Sequence, residues 1–187
     1  MKQPPLDELL SGCRSNDRRS QQALYDRFYA YGLAVALPYC SDAGEAREVL
    51  NEAFLKVFTG IGRYDPAQPF TAWFRVIVVR TAINCYHHRM REPDWLELDE
   101  ALILPTTNHD EPLDQLSAEE LLKLTQRLPA AYRLALNLYA VEGFPHAEIA
   151  EMLGISVGAS KSNLSKARAR LRQLMSLSTI SRKNQQG

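Results

Sequence analysis

The chain has 187 residues, 45% apolar and 24% charged, with 22 basic side chains against 22 acidic ones. That composition supports two small packed units and excludes a disordered chain. Its three cysteines, Cys13, Cys40 and Cys85, are widely spaced and lack any CxxC pairing, which argues against a disulfide framework or a structural zinc site and points to a reducing cytoplasm.

No basic-then-apolar leader opens "MKQPPLDELLSG", and the longest apolar stretch, around Gly32 to Cys40, is too short to span a bilayer. A soluble cytoplasmic protein without membrane insertion is expected. The balanced net charge hides segregation. Residues 1–91 carry 12 Lys/Arg and 9 Asp/Glu, residues 92–120 carry 0 and 10, and residues 121–187 carry 10 and 3. Two basic units therefore flank an acidic connector.

In chain order, "QQALYDRFYAYGLAVALPYC" sets Leu24, Phe28 and Leu33 near helical spacing, and Pro38 ends or kinks that helix. A second helix starts after Ser41-Asp42, either of which can cap it. In "EAREVLNEAFLKVFTGI" the residues Val49, Leu50, Phe54, Val57 and Phe58 form an apolar stripe, leaving Glu45, Glu48, Asn51, Glu52 and Lys56 on the other face. "GRYDPAQPF" reads as a loop. "FTAWFRVIVVRTAINCYHHRMR" contains a β-branched run, yet its 3.6-residue period continues through Arg80, Asn84 and His87, which favours helix.

Residues 92–114 have no basic residue, several prolines and weak periodicity, and read as an irregular acidic linker with room for one short helix. Helices resume at "SAEELLKLTQRL", where Ser117 and Glu120 make a capping box. "PAAYRLALNLYAVEG" follows, with Pro129 suited to a first turn. Residues 177–187 are expected to fray. The fold class is all-α, with helical units over 1–91 and 115–176.

The stretch "PHAEIAEMLGISVGASKSNLSKARARLRQLM" is the most informative. Pro145 opens a short helix, Gly154 ends it in the left-handed conformation, and Ser156 caps a longer one. That is a helix-turn-helix pattern. On the second helix Val157, Leu164, Ala167, Leu171 and Leu174 share an inward face. Gly158, Ser162, Ser165, Lys166 and Ala169 lie opposite, flanked by Lys161, Arg168 and Arg172 on one side and Asn163 and Arg170 on the other. A small polar surface between long cations suits a major groove with its two phosphate walls.

Other chemistry is set aside. Cys85, His87 and His88 are close in sequence, but successive helical residues diverge by about 100°, so the two histidines cannot both point at one ion without other ligands, and His109 and His146 are too isolated to supply them. No metal or cofactor is expected. Phosphate-cradling loops and activated nucleophiles are absent, so no catalytic site is expected. From the residues alone, a helix-turn-helix DNA-binding regulator and a helical interaction module without DNA affinity both stay open, and the basic C-terminal segment speaks against the second.

With these residues in place, the chain resembles the extracytoplasmic-function sigma factors of bacterial RNA polymerase. "LPAAYRLALNLYAVEGFPHAEIAEMLGISVGASKSNLSKARARLRQLM" is similar to the family's fourth region. "LYDRFYAYGLAVALPYC", "EAREVLNEAFLKVF" and "PFTAWFRVIVVRTAINCYHHRMR" are similar to successive parts of its second region, with no third-region domain between.

The resemblance implies an adaptor that joins core RNA polymerase and directs it to promoter DNA. It places docking on the β′ clamp helices at Glu45, Glu48, Asn51, Glu52 and Lys56, with the β flap as a second polymerase contact. Arg47 departs from the family's acidic character there. The resemblance assigns minus-10 contacts to Tyr64, Arg80, Asn84, His87, His88 and Arg91; Trp73, an aromatic of the kind more often found in cores, reads as structural. It assigns minus-35 contacts to Ser156, Gly158, Lys161, Ser162, Asn163, Lys166 and Arg168. Where many relatives carry arginine, this chain has Lys161, Asn163 and Lys166, and lysine lacks the bidentate fork that suits guanine. An anti-sigma factor is a further partner the resemblance implies.

Overall fold

The structure, a computed structural model, describes residues 4–91 and 117–185, with side chains to 177. The acidic linker, with its expected short helix, lies outside the described residues. Those described form α-helices and short 3₁₀ turns, with no strand among them. The chain divides into two compact units, Met1–Cys85 and Tyr86–Gly187.

The first unit opens with a helix that sequence reading did not anticipate, α1 (Leu6–Arg14). Its signal was short but present: Leu6, Leu9, Leu10 and Cys13 follow helical spacing, and the last three are buried. At the corner into α2 (Arg18–Ala36), Asp17 accepts from the Ser20 amide at 2.9 Å and the Ser20 hydroxyl at 2.7 Å. The Ser20 hydroxyl, then its amide, hold the Asp17 carboxyl below the usual carboxylate range. Pro38 sits in the 3₁₀ turn Leu37–Tyr39 that ends α2. The prolyl ring has no amide proton to continue the helix.

Asp42 rather than Ser41 caps α3 (Ala43–Gly60), accepting from the amides of Gly44 and Glu45 at 2.6 and 2.9 Å. A 3₁₀ turn at Ile61–Arg63 and a loop lead into α4 (Phe70–Arg89), which is helical through its β-branched run. The core is aromatic. Phe54 of α3 and Phe74 of α4 meet at 4.9 Å between ring centroids, both essentially inaccessible, and Phe28 of α2 packs on Phe70 at 4.7 Å. Offset, tilted rings of this kind add to the area they bury. Gly32 lets the three helices close together, since a Cβ there would sit 2.5 Å from Leu50 Cδ1 and 2.9 Å from Phe74 Cζ.

The second unit contains α5 (Ala118–Gln126), α6 (Ala130–Ala140), α7 (His146–Leu153) and α8 (Val157–Gln185). Ser117 and Glu120 form the expected capping box. Buried Arg133 closes the other end of α5 by donating to the carbonyls of Gln126 and Leu128 at 3.0 and 2.9 Å, a cation placed where unsatisfied carbonyls gather. Gly154 takes φ +65° as the left-handed cap of α7. The helix α8 continues to Gln185, past the point where fraying was expected; residues 176–185 contain neither glycine nor proline to stop it.

The inward face of α8 differs from expectation at its start. Val157 is 43% exposed and Ser160 is fully buried, so the packed face runs Ser160, Leu164, Ala167, Leu174 with Leu171 partly covered. Ser160 can go inside because its hydroxyl lies 3.0 Å from His146 Nδ1, which satisfies the polar group.

Gly32→Ala is expected to cost about 1–3 kcal/mol of unfolding free energy through overpacking. Gly62→Ala, whose added methyl would meet nothing within 4 Å, is expected to stay within about 0.5 kcal/mol. Urea unfolding of the two variants checks the contrast.

Candidate nucleic-acid and docking interfaces

Burying Val49, Leu50, Phe54 and Val57 turns the opposite side of α3 to solvent, where Arg47, Glu48, Asn51, Glu52 and Leu55 are exposed. Glu48, Asn51, Glu52 and Leu55 lie at helical neighbour spacing, an acidic and amide stripe around an apolar side chain. Leu55 is 60% exposed and was missed by sequence reading, although its place seven residues after Glu48 puts it on this face. Asn51 Oδ1 accepts from the Tyr25 hydroxyl at 3.0 Å. Burial, with Tyr29 and Asp26 adding to it, pushes the Tyr25 phenol above its ordinary value, so it remains a protonated donor.

Two residues grouped with this stripe have other commitments. Glu45 reaches back to the Ser41 amide and hydroxyl, completing the N-terminal cap of α3. Lys56, half-buried, pairs with Glu52 at 3.4 Å and donates from Nζ to Thr81 Oγ1 at 3.3 Å. The Thr81 hydroxyl in turn donates to the Ile77 carbonyl at 2.7 Å. Lys56 thus turns towards α4.

There it joins a cleft lined by Lys56, Gly60, Arg63, Trp73, Ile77, Arg80, Thr81 and Asn84. Three cations, one carboxamide and the edge of an indole face a common space with no carboxylate in its lining. Arg80 and Asn84 are brought together here, being one turn apart on the exposed face of α4. Trp73 is half-buried, packed on Tyr64 at 5.1 Å and Phe70 at 5.8 Å, so it serves core and cleft together. Arg63 and Thr81 are residues the sequence reading did not single out.

Tyr64 is turned inward. It is 7% exposed, and its hydroxyl donates to the Gln68 carbonyl within the loop; its ring holds the loop against Phe70 and Trp73. His87 is half-buried with its ring beside Tyr86, while His88 and Arg91 are exposed. None of these three lines the cleft.

In the second unit the turn between α7 and α8 sets up the other surface. The Ser156 hydroxyl accepts from the Ala159 amide at 3.1 Å, capping α8. Beyond it Gly158, Lys161, Ser162, Lys166 and Arg168 are exposed and Asn163 is half-buried. At Gly158 an added Cβ would meet only Ser156 Oγ, at 3.8 Å, so the glycine opens the surface rather than relieving internal crowding. Lys166 Nζ lies 5.7 Å from the Tyr132 ring centroid, and the Arg168 guanidinium lies 5.6 Å from that of Tyr139. Among the described residues no group of three His, Cys, Asp or Glu side chains is placed to hold a metal ion, and no helix is long and apolar enough to cross a membrane.

Two family models match the chain, Sigma-70 region 2 over residues 24–92 and Sigma-70 region 4 over residues 118–171. The chain is similar to RNA polymerase sigma factor CarQ of Myxococcus xanthus, 30% identical over 130 residues that cover 70% of this chain and 74% of CarQ. It is similar also to the RNA polymerase sigma-H factor of Pseudomonas aeruginosa, 27% identical over 172 residues covering 86% and 89% respectively. Among solved structures it resembles the sigma factor RpoE from Bartonella quintana, crystallised with the anti-sigma factor NepR, at 22% identity over 83% of this chain and 96% of that one, with a TM-score of 0.49.

The candidate interface residues are separable from the core by their expected effect on stability. Arg80→Ala, Asn84→Ala and Ser162→Ala are each expected to leave unfolding free energy within about 0.5 kcal/mol of the parent. Leu164→Ala, on the buried face of α8, is expected to cost about 2–5 kcal/mol. Denaturant titration of the full chain measures both.

Proposed function

We propose a working mechanism from one premise: the chain belongs to the sigma-70 family of RNA polymerase sigma factors, in its extracytoplasmic-function group, and directs the polymerase to promoters. The observation that carries the reading is the order of the two region matches, region 2 across α2, α3 and α4 and then region 4 from α5 into α8. The protein acts in the cytoplasm by binding and holding DNA and has no catalytic step of its own.

The stripe Glu48, Asn51, Glu52 and Leu55 on α3 docks on the β′ clamp helices of core polymerase. An exposed leucine with acidic and amide groups on the turns before it suits a partner surface that sets basic groups beside an apolar pocket. Glu45 supports this stripe as a cap, and Lys56 lies at its edge, bridging Glu52 to Thr81 of α4. The second unit makes the further contact with the β flap.

The cleft beside α4 holds the opened minus-10 strand. Lys56, Arg63 and Arg80 attract its phosphates, Trp73 offers an aromatic edge to a base, and Asn84 offers both a donor and an acceptor to a base edge. A protein that binds the separated strand better than the duplex shifts the opening equilibrium by that difference in affinity. The start of α8 lies in the major groove of the minus-35 element. Ser156, Gly158 and Ser162 allow close approach, Lys161 and Asn163 reach base edges, and Lys166 and Arg168 reach phosphates.

A pull-down with bacterial core polymerase tests the docking assignment. Glu48→Lys with Glu52→Lys is expected to weaken the complex at least about tenfold by placing like charges together, and Leu55→Asp is expected to weaken it independently. Unchanged affinity in both variants would reject the α3 face as the docking site. Failure of the parent chain to bind at all would leave a helix-turn-helix regulator as the function.

A further inference from the structure

Tyr139 is poorly explained by packing. Its neighbours on α6, Leu134, Ala135 and Leu138, are buried, whereas Tyr139 is 39% exposed. Two side chains nevertheless converge on its ring. His146, the first residue of α7, stacks on it with centroids 4.9 Å apart and planes at 19°. The Arg168 guanidinium of α8 lies 5.6 Å from its centroid. His146 is itself anchored, with Nδ1 3.0 Å from Oγ of fully buried Ser160. Tyr132, two turns earlier on α6, stands under the Lys166 ammonium in the same manner.

We infer that Tyr139, steadied by His146, is a positioning residue for DNA binding: its ring presets the Arg168 guanidinium for a duplex phosphate. This rests on the reading of α8 as the duplex-contacting helix and adds the element that orients one of its cations. The geometry permits both contacts together. A planar guanidinium can lie along an aromatic face while the N–H groups at its edge stay free to donate to phosphate oxygens. A free arginine side chain loses much rotamer freedom when it binds, and a side chain already held on a ring loses less. The His146 stack and the Ser160 contact restrict Tyr139 in turn, so α6, α7 and α8 all contribute to the placement of one cation.

The test is a double-mutant cycle on the full chain, read as affinity for a short mixed-sequence DNA duplex across a salt series. Arg168→Ala is expected to weaken binding and to lower the slope of log affinity against log salt by about one. Tyr139→Leu is expected to weaken binding about two- to fivefold, the scale of an exposed cation–π contact, while Tyr139→Phe retains parental affinity. In the Arg168→Ala background Tyr139→Leu is expected to have no further effect. Thermal unfolding verifies that the variants fold, and Tyr139→Gln provides a second ring-less variant should leucine disturb the fold.

An equal loss from Tyr139→Leu in both backgrounds would overturn the inference in favour of a purely structural tyrosine. Unchanged or tighter binding by Tyr139→Leu would overturn it too, tighter binding meaning that the ring draws Arg168 away from DNA. A parent chain that does not bind the duplex at low salt, or an Arg168→Ala variant with an unaltered salt slope, would instead remove the underlying reading of α8.

Discussion

The contact between Phe54 and Phe74 governs the first unit. Each ring is buried on one side of its helix; the far side of α3 carries the acidic stripe, and the cationic cleft lies beside the same α3–α4 pair. With the rings 4.9 Å apart, α3 has little freedom to roll against α4, because a helix that rolled would expose an aromatic side chain. The acidic stripe on α3 and the cationic cleft beside α4 are therefore presented in a constant relation. Gly32 permits that closeness, and the bond from Lys56 to Thr81 spans the same helix pair with a polar link. A polymerase clamp held by one surface would thus set the position of a DNA strand held by the other.

The second unit obtains its definition from buried polar groups. Arg133 closes the end of α5, and the His146 to Ser160 contact joins the two helices of the helix-turn-helix. Such groups tolerate few alternatives, since a shift of either helix would leave a polar atom unsatisfied away from water. The outcome is a firm frame beneath a surface of small residues and long cations. Aromatic rings of α6 then receive two of those cations, so the frame extends into side chains that would otherwise sample many rotamers.

Much of this was legible in the sequence because its causes are local. The capping box at Ser117, the cap at Ser156, the left-handed glycine at 154 and the apolar stripe of α3 each depend on residues within one or two turns. What escaped depends on partners distant in the chain. Ser160 replaces Val157 on the inward face because His146 from the preceding helix satisfies its hydroxyl. Lys56 leaves its expected face because Thr81 lies across the helix pair. Tyr64 turns inward because Phe70 and Trp73 offer it an aromatic wall, and residue type alone does not distinguish a stacking platform from a core ring. The short helix α1 had a readable pattern, but only two turns of it.

The central claim is that two helical units of one chain read two DNA elements while joined to polymerase. Its most direct measurement is transcription by purified core polymerase on fragmented DNA from the chain's own host, with and without the protein, with RNA 5′ ends mapped throughout. The account predicts start sites that appear only with the protein and share two short elements at a constant separation. Identical transcripts in the two reactions, or new starts that share no upstream elements, would contradict it.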